Sequence, residues 1–306
     1  MLRHTLSICL ASLASLALPA DADVPVVVAD IPAVHALVAA VMGDLGQPAL
    51  LLTKGADAHD FALSPSQAAK VAGADLLFWI GPGMTPWLGR AIEGTGVAGH
   101  AVALLDAPGT HLLTFAEAGA SGVELADKLE EHGPIDPHAW LDPANAKVWI
   151  DLIAAELSAS DAPNAATYAA NAAAAKTRID DATTEVRSTM APVGNTPVVL
   201  FHDAYAYYAT AFGLNVAGTI AQSDAATPGA ARIAEVHQVL ADAKAVCIFP
   251  EANHDPKYIA VVTEGTAVKI GGALDPEGAL LTPGPDLYPA LLRNLAATLA
   301  ACMARP

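Results

Sequence analysis

Basic residues are scarce: 15 Lys+Arg stand against 32 Asp+Glu, a net charge of −17 over 306 residues. A chain this acidic does not neutralise phosphates, which excludes a nucleic-acid partner, whereas cations are drawn to it. Cysteine is nearly absent, with three residues, and their spacing contains no CxxC metal or redox motif. Charged residues make up only 15% of the chain and hydrophobic ones 54%, so a disordered polar chain is excluded and a packed interior is required. Hydrolase and nucleotide signatures are missing as well. There is no HExxH, no GxSxG, no P-loop and no strand-linked GxGxxG. Long unbroken apolar runs are lacking except at the extreme N-terminus.

That N-terminal run is MLRHTLSICLASLASLALPADADV. Arg3 and His4 form a short basic region, Leu6 to Leu18 an apolar stretch, and Ala20-Asp21-Ala22 a small-residue cleavage site. The apolar part is shorter than the roughly 20 residues that a spanning helix needs. Residues 1–22 therefore read as a signal peptide, with a mature chain that starts near Asp23 in the periplasm. Two cysteines remain, Cys247 and Cys302. An even pair in an oxidising compartment reads as a disulfide, two separate buried thiols being the alternative. Closing that loop would contribute roughly 4 kcal/mol in the chain-entropy description.

The length suggests about two domains. From Val24, short apolar runs alternate with helical stretches: VPVVVAD, IPAVHALVAAVMGDLG, PALLL, SPSQAAKVAGA, DLLFWIG. The pattern restarts with TPVVLFHD, AYAYYATAFG, AVCIFPE and VKIGGALDP, then a final helix from Leu287 to Met303. Strands separated by helices imply βαβ units and parallel sheets. Between the halves, Tyr168, Ala172, Ala175, Ile179, Ala182, Val186 and Met190 recur at steps of three or four. They predict one long helix over 163–190, either a strut across both halves or a core helix of one. The expected fold is α/β, with an N-terminal lobe over 23–162, a linking helix over 163–190 and a C-terminal lobe over 191–306. Residues 115–134 break the pattern with Glu117, Glu124, Asp127, Glu130, Glu131 and His132, and read as a long acidic surface loop.

Four residues beside predicted strand ends carry the candidate chemistry. His59 lies in KGADAHDF, His138 in PIDPHAWLDP, His202 in VVLFHDAY and Asp275 in GGALDPEG. Open α/β sheets place ligand sites at such positions, and an interlobe cleft would take two ligands from each half. Three imidazoles and a carboxylate suit a tetrahedral borderline cation rather than Ca²⁺ or Mg²⁺. Glu251, in FPEANHD, falls at a strand end on the same side, as a turn residue or as support for the site. Asp60, Asp136, Asp142 and Asp203 neighbour the histidines and could orient their rings. Trp140 and Phe61 read as water-excluding or ordinary core aromatics. His35, His100, His111, His237 and His254 read as plain helix, strand or loop positions.

The stretches GADAHDFALSPSQAAKVAGADLLFWIGPGMTPWL, DPHAWLDPANAKVWIDLIAAEL, VVLFHDAYAYYATAFGL and GGALDP cover most of residues 24–303 in a specific order. In them the chain resembles the metal-binding solute-binding proteins of ABC importers, the ZnuA/AztC zinc type of the cluster A-I family. The resemblance implies two α/β lobes joined by one rigid helix, with His59, His138, His202 and Asp275 at the family's metal-ligand positions. It implies a periplasmic carrier rather than an enzyme, with one Zn²⁺ per chain as cargo and an importer permease as partner. A monomer, loaded by a periplasmic zinc chaperone, fits that role. Manganese-selective relatives carry a carboxylate at the third position, where this chain has the nitrogen ligand His202, so zinc is favoured. Manganese or iron cargo, or a zinc hydrolase with Asp275 as base, are the competing readings. The Cys247/Cys302 pair matches a C-lobe disulfide of zinc-type members. The family's loop is often rich in histidine, whereas this one is acidic, leaving Glu130, Glu131 and His132 as a weak capture site.

Overall fold

A computed structural model describes residues 24–52, 54–117, 134–221, 229–242 and 244–303. The proposed signal segment and the acidic residues Glu124 to His132 lie outside these. In the first lobe, strands β1 (Val27–Ala29), β2 (Ala49–Leu50), β3 (Leu76–Trp79) and β4 (His100–Ala103) alternate with helices α1 (Pro32–Met42), α2 (Pro65–Ala72) and α3 (Pro86–Thr95). The strands pair in parallel in the order β2-β1-β3-β4. β1 and β3 are buried along their whole lengths, which is why they read as unbroken apolar runs rather than alternating ones. α2 starts on a capping box: the Ser64 side chain and the Gln67 amide satisfy each other's backbone N–H groups.

The first lobe is completed by α4 (Pro143–Ser160), and α5 (Ala165–Met190) follows. In the second lobe, β5 (Pro197–Leu200), β6 (Asn215–Thr219), β7 (Cys247–Ile248) and β8 (Lys269–Ile270) form a parallel sheet in the order β6-β5-β7-β8. It is the same winding as in the first lobe. Helices α6 (Ala206–Phe212), α7 (Ala230–Asp242), α8 (Lys257–Thr263) and α9 (Leu287–Met303) surround it. Cys247 of β7 and Cys302 of α9 form a disulfide, tying the last helix to the centre of the sheet.

The long helix is a strut. Its 26 residues extend about 39 Å at 1.5 Å each. The buried residues are those of the sequence stripe: Tyr168, Ala172, Ala175, Ile179, Ala182, Val186 and Met190. Near its start the Asn171 amide donates to Val41 O of α1 at 3.0 Å, and α1 ends there at Gly43, whose φ of 56° and closeness to Asn171 leave no room for a Cβ. Near its other end Glu185 pairs with Arg293 of α9. One buried apolar cluster runs from Val28 in the first sheet through Ile179 to Leu200 and Leu291 in the second lobe. Polar bolts reinforce it: Trp140 Nε1 donates to Pro276 O (2.8 Å), Tyr288 Oη to Trp140 O (2.6 Å) and Tyr207 Oη to Asp136 O (2.9 Å). Trp140 is thus an interlobe pin. No helix among the described residues is long and apolar enough to cross a membrane.

Candidate metal centre

In each sheet the strand order reverses between the first and third strands, the place where open α/β sheets hold ligands. In the second lobe that reversal lies between β5 and β7. His202 follows β5 by two residues and Glu251 follows β7 by three, so the two are brought side by side although 49 positions apart. Glu251 Oε2 accepts from His202 Nδ1 at 2.6 Å, while Tyr205 Oη donates to Oε1 at 3.1 Å. From the first lobe, His138 sits just ahead of the short 3₁₀ turn Ala139–Leu141, with Asp136 Oδ1 accepting from both its backbone N (3.0 Å) and its Nδ1 (2.7 Å). His59 stands in the loop between β2 and α2. Asp57 Oδ1 accepts its backbone N–H at 2.8 Å, and Trp87 Nε1 clamps the loop by donating to Ala58 O at 2.7 Å.

The three rings converge. His138 lies 5.6 Å from His59 and 5.5 Å from His202, centroid to centroid, and all three are buried. An ionised carboxylate only accepts, so Asp136 and Glu251 require the proton of His138 and His202 to be on Nδ1. The lone pair of each imidazole is then on Nε2. Neutral imidazoles with a fixed tautomer and a carboxylate behind the far nitrogen are the arrangement that makes histidine a good ligand for a borderline cation.

The family model of the zinc-uptake complex component A, periplasmic (ZnuA), matches residues 27–302. The high-affinity zinc uptake system protein ZnuA of Paracoccus denitrificans is 44% identical over 323 aligned residues, covering 99% of each chain. The chain belongs to the ZnuA family. Among solved structures, the periplasmic zinc binding protein TroA of Treponema pallidum superposes with a TM-score of 0.77 over 92% of this chain and 99% of that one, at 21% identity. A mutant of the laminin-binding adhesin Lmb of Streptococcus agalactiae gives 0.74 over 92% and 99%, at 24% identity. At these identities the likeness establishes the two-lobed fold.

Within this ZnuA-family chain the fourth anticipated residue has a different setting. Asp275 is half-buried, and its two oxygens accept the backbone N–H groups of Ala279 and Leu280, each at 2.9 Å. It lines a small chamber together with His202. Of the four aspartates expected to steer imidazoles, Asp136 does so for His138. Asp60 is exposed, Asp142 caps α4 and bonds His111, and Asp203 faces the cavity beside β6. Phe61 packs edge-on against Trp87 rather than over the histidines. Sequence reasoning left Glu251 undecided and gave His254 no role. His254 stacks on Phe201 (4.2 Å, 20°) with its Nε2 at 3.5 Å from Glu251 Oε2.

Proposed function

We infer that this chain captures Zn²⁺ in the periplasm and delivers it to the membrane permease of an ABC importer. The observation that carries the reading is the convergence of three buried imidazoles from two lobes, two of them with Nδ1 held by a buried carboxylate. Zinc takes such nitrogen ligands at about 2.0–2.1 Å, and the zinc-uptake role named for the family and its relatives points the same way. His59, His138 and His202 supply three donors to one ion per chain. Asp275 supplies the fourth by turning one oxygen away from the amides of Ala279 and Leu280. A closed four-ligand shell has no position for an activated water, which suits a carrier and not a hydrolase. Nitrogen donors in place of carboxylates favour zinc over manganese.

The reading includes export by residues 1–22, lobes over 23–162 and 191–306 joined by the helix within 163–190, a monomeric carrier, and loading by a periplasmic chaperone. Chelator-competition titration of the mature, untagged protein tests it. One tight Zn²⁺ per chain, with Mn²⁺ far weaker, is expected; equal affinity for the two metals would overturn the assignment.

A further inference from the structure

Beside the histidine cluster lies a chamber of about 70 Å³ lined by Asp57, His202, Glu251, His254, Asp275 and Glu277, together with Ala252, Asn253 and Pro276. Four carboxylates and two imidazoles face it, and among the described residues no Lys or Arg lines it. A water needs roughly 10–15 Å³ of such space, so the chamber has room for a cation that keeps part of its hydration. One polar atom from each of His202, Glu251 and His254 lies within 4.8 Å of the other two; with Nδ1 of His202 donating to Glu251, the lone pairs available to a cation there are those of Glu251 and His254. Glu251 Oε2 is the shared atom, 2.6 Å from His202 Nδ1 and 3.5 Å from His254 Nε2. Exposure also falls inward: the His254 side chain is 19% exposed, those of His202 and Glu251 only 6% and 3%. The stack on Phe201 fixes the His254 ring, so its Nε2 is already aimed at Glu251.

We propose that His254 Nε2 and Glu251 Oε2 form a second, weaker position for a divalent cation, a waiting site from which the ion passes to His59, His138 and His202. It rests on the carrier reading above. Water supplies the remaining ligands, and the carboxylates of Asp57 and Glu277 offset the ion's charge without closing the shell. An ion waiting there is one imidazole away from the deep site, because His202 presents Nδ1 to the Glu251 side and Nε2 to the histidine cluster. Partial hydration makes this position fast to fill and fast to empty, the property that the buried site lacks.

Zinc binding to four untagged mature proteins separates the possibilities: wild type, His254→Asn, His138→Ala, and His138→Ala with His254→Asn. The expected result has three parts. His254→Asn keeps the equilibrium affinity of the tight site within twofold, slows zinc association in stopped-flow mixing at least threefold, and weakens the residual zinc binding of His138→Ala at least tenfold. Residual binding that is indifferent to His254, or unchanged association rates, overturns the waiting site. A loss of tight affinity in His254→Asn as large as in His138→Ala overturns it too, by making His254 a ligand of the main site. Failure of the carrier reading looks different: the wild type then binds no zinc tightly, whatever residue 254 is.

Discussion

Glu251→Gln removes one charge and almost no volume from the point on which His202 depends. In the native protein the carboxylate is buried, accepts from His202 Nδ1 at 2.6 Å and from Tyr205 Oη at 3.1 Å, and is 3.4 Å from the His202 backbone N. When His202 coordinates a dication, the imidazole N–H becomes more acidic and the anion behind it stabilises the complex. Glutamine keeps an acceptor for Nδ1 but loses that charge, and its amide can also turn its N–H₂ to the ring and favour the wrong tautomer. Loss of such a partner costs about 10- to 100-fold in metal affinity, equivalent to roughly 1.4–2.8 kcal/mol at about 1.4 kcal/mol per decade. The equivalent change behind His138, Asp136→Asn, acts on the same chemistry with Asp136 fully buried. Competition with a chromophoric chelator at neutral pH reads both variants, with circular dichroism as the control for folding. A folded Glu251→Gln protein that binds zinc within twofold of wild type refutes the claim that this carboxylate sets the ligand state of His202.

Other outcomes follow from the fold. Trp140→Phe, which leaves the buried Pro276 carbonyl without its 2.8 Å donor, should lower unfolding stability by about 1–3 kcal/mol; a change under half a kilocalorie in urea denaturation contradicts the pin. Because a Gly- and Pro-free strut, interlobe bonds and a common core join the lobes, solution scattering should show the same radius of gyration with and without zinc, and a clear fall on loading would mean lobe closure. Replacing Cys247 and Cys302 together with Ala should cost roughly 4 kcal/mol for the 55-residue separation, read by the same denaturation. Asp30 is fully buried, and burial outweighs its hydrogen bonds from Ile80, Ile31 and Thr85 to raise its pKa to about 7 from 3.8. The folded chain then holds a proton that the unfolded chain releases, so this group's contribution is full below pH 3.8 and is lost as pH rises towards 7. Relative to Asp30→Asn, wild-type stability should fall by up to about 4 kcal/mol across that window; a flat difference would contradict it.

The long helix was legible because a three-four stripe over more than twenty residues has no strand interpretation, although the stripe alone left a strut and a core helix of one lobe equally open; the last helix, Leu287–Met303, falls on the segment expected from sequence. The strands were legible as apolar runs but are shorter than those runs: VPVVVAD yields Val27–Ala29, since Pro25 has no N–H to give a ladder and the Val26 N–H goes to the Asp75 side chain. β6 escaped notice because Asn215-Val-Ala-Gly-Thr219 has neither alternation nor an apolar run, and α8 because Lys257–Thr263 is short and rich in β-branched residues. His59 and His202 could be found by their places after strands, and His138 by its place just ahead of a helix. Asp136 lies two residues from His138, within reach of sequence reasoning. Glu251 does not, since its pairing with His202 exists only through β5 lying beside β7. His254 depends on a further turn, in which its backbone N is 3.4 Å from Glu251 O, that spacing alone does not disclose.

The most direct test of the central claim is anomalous diffraction at the zinc edge from crystals of the mature protein grown with one equivalent of Zn²⁺. The account predicts one dominant peak between the lobes, about 2.0–2.1 Å from the Nε2 atoms of His59, His138 and His202, with Nδ1 of the latter two still on Asp136 and Glu251. A dominant peak bound by only one lobe, or centred on His254 with the three histidines apart, would contradict it.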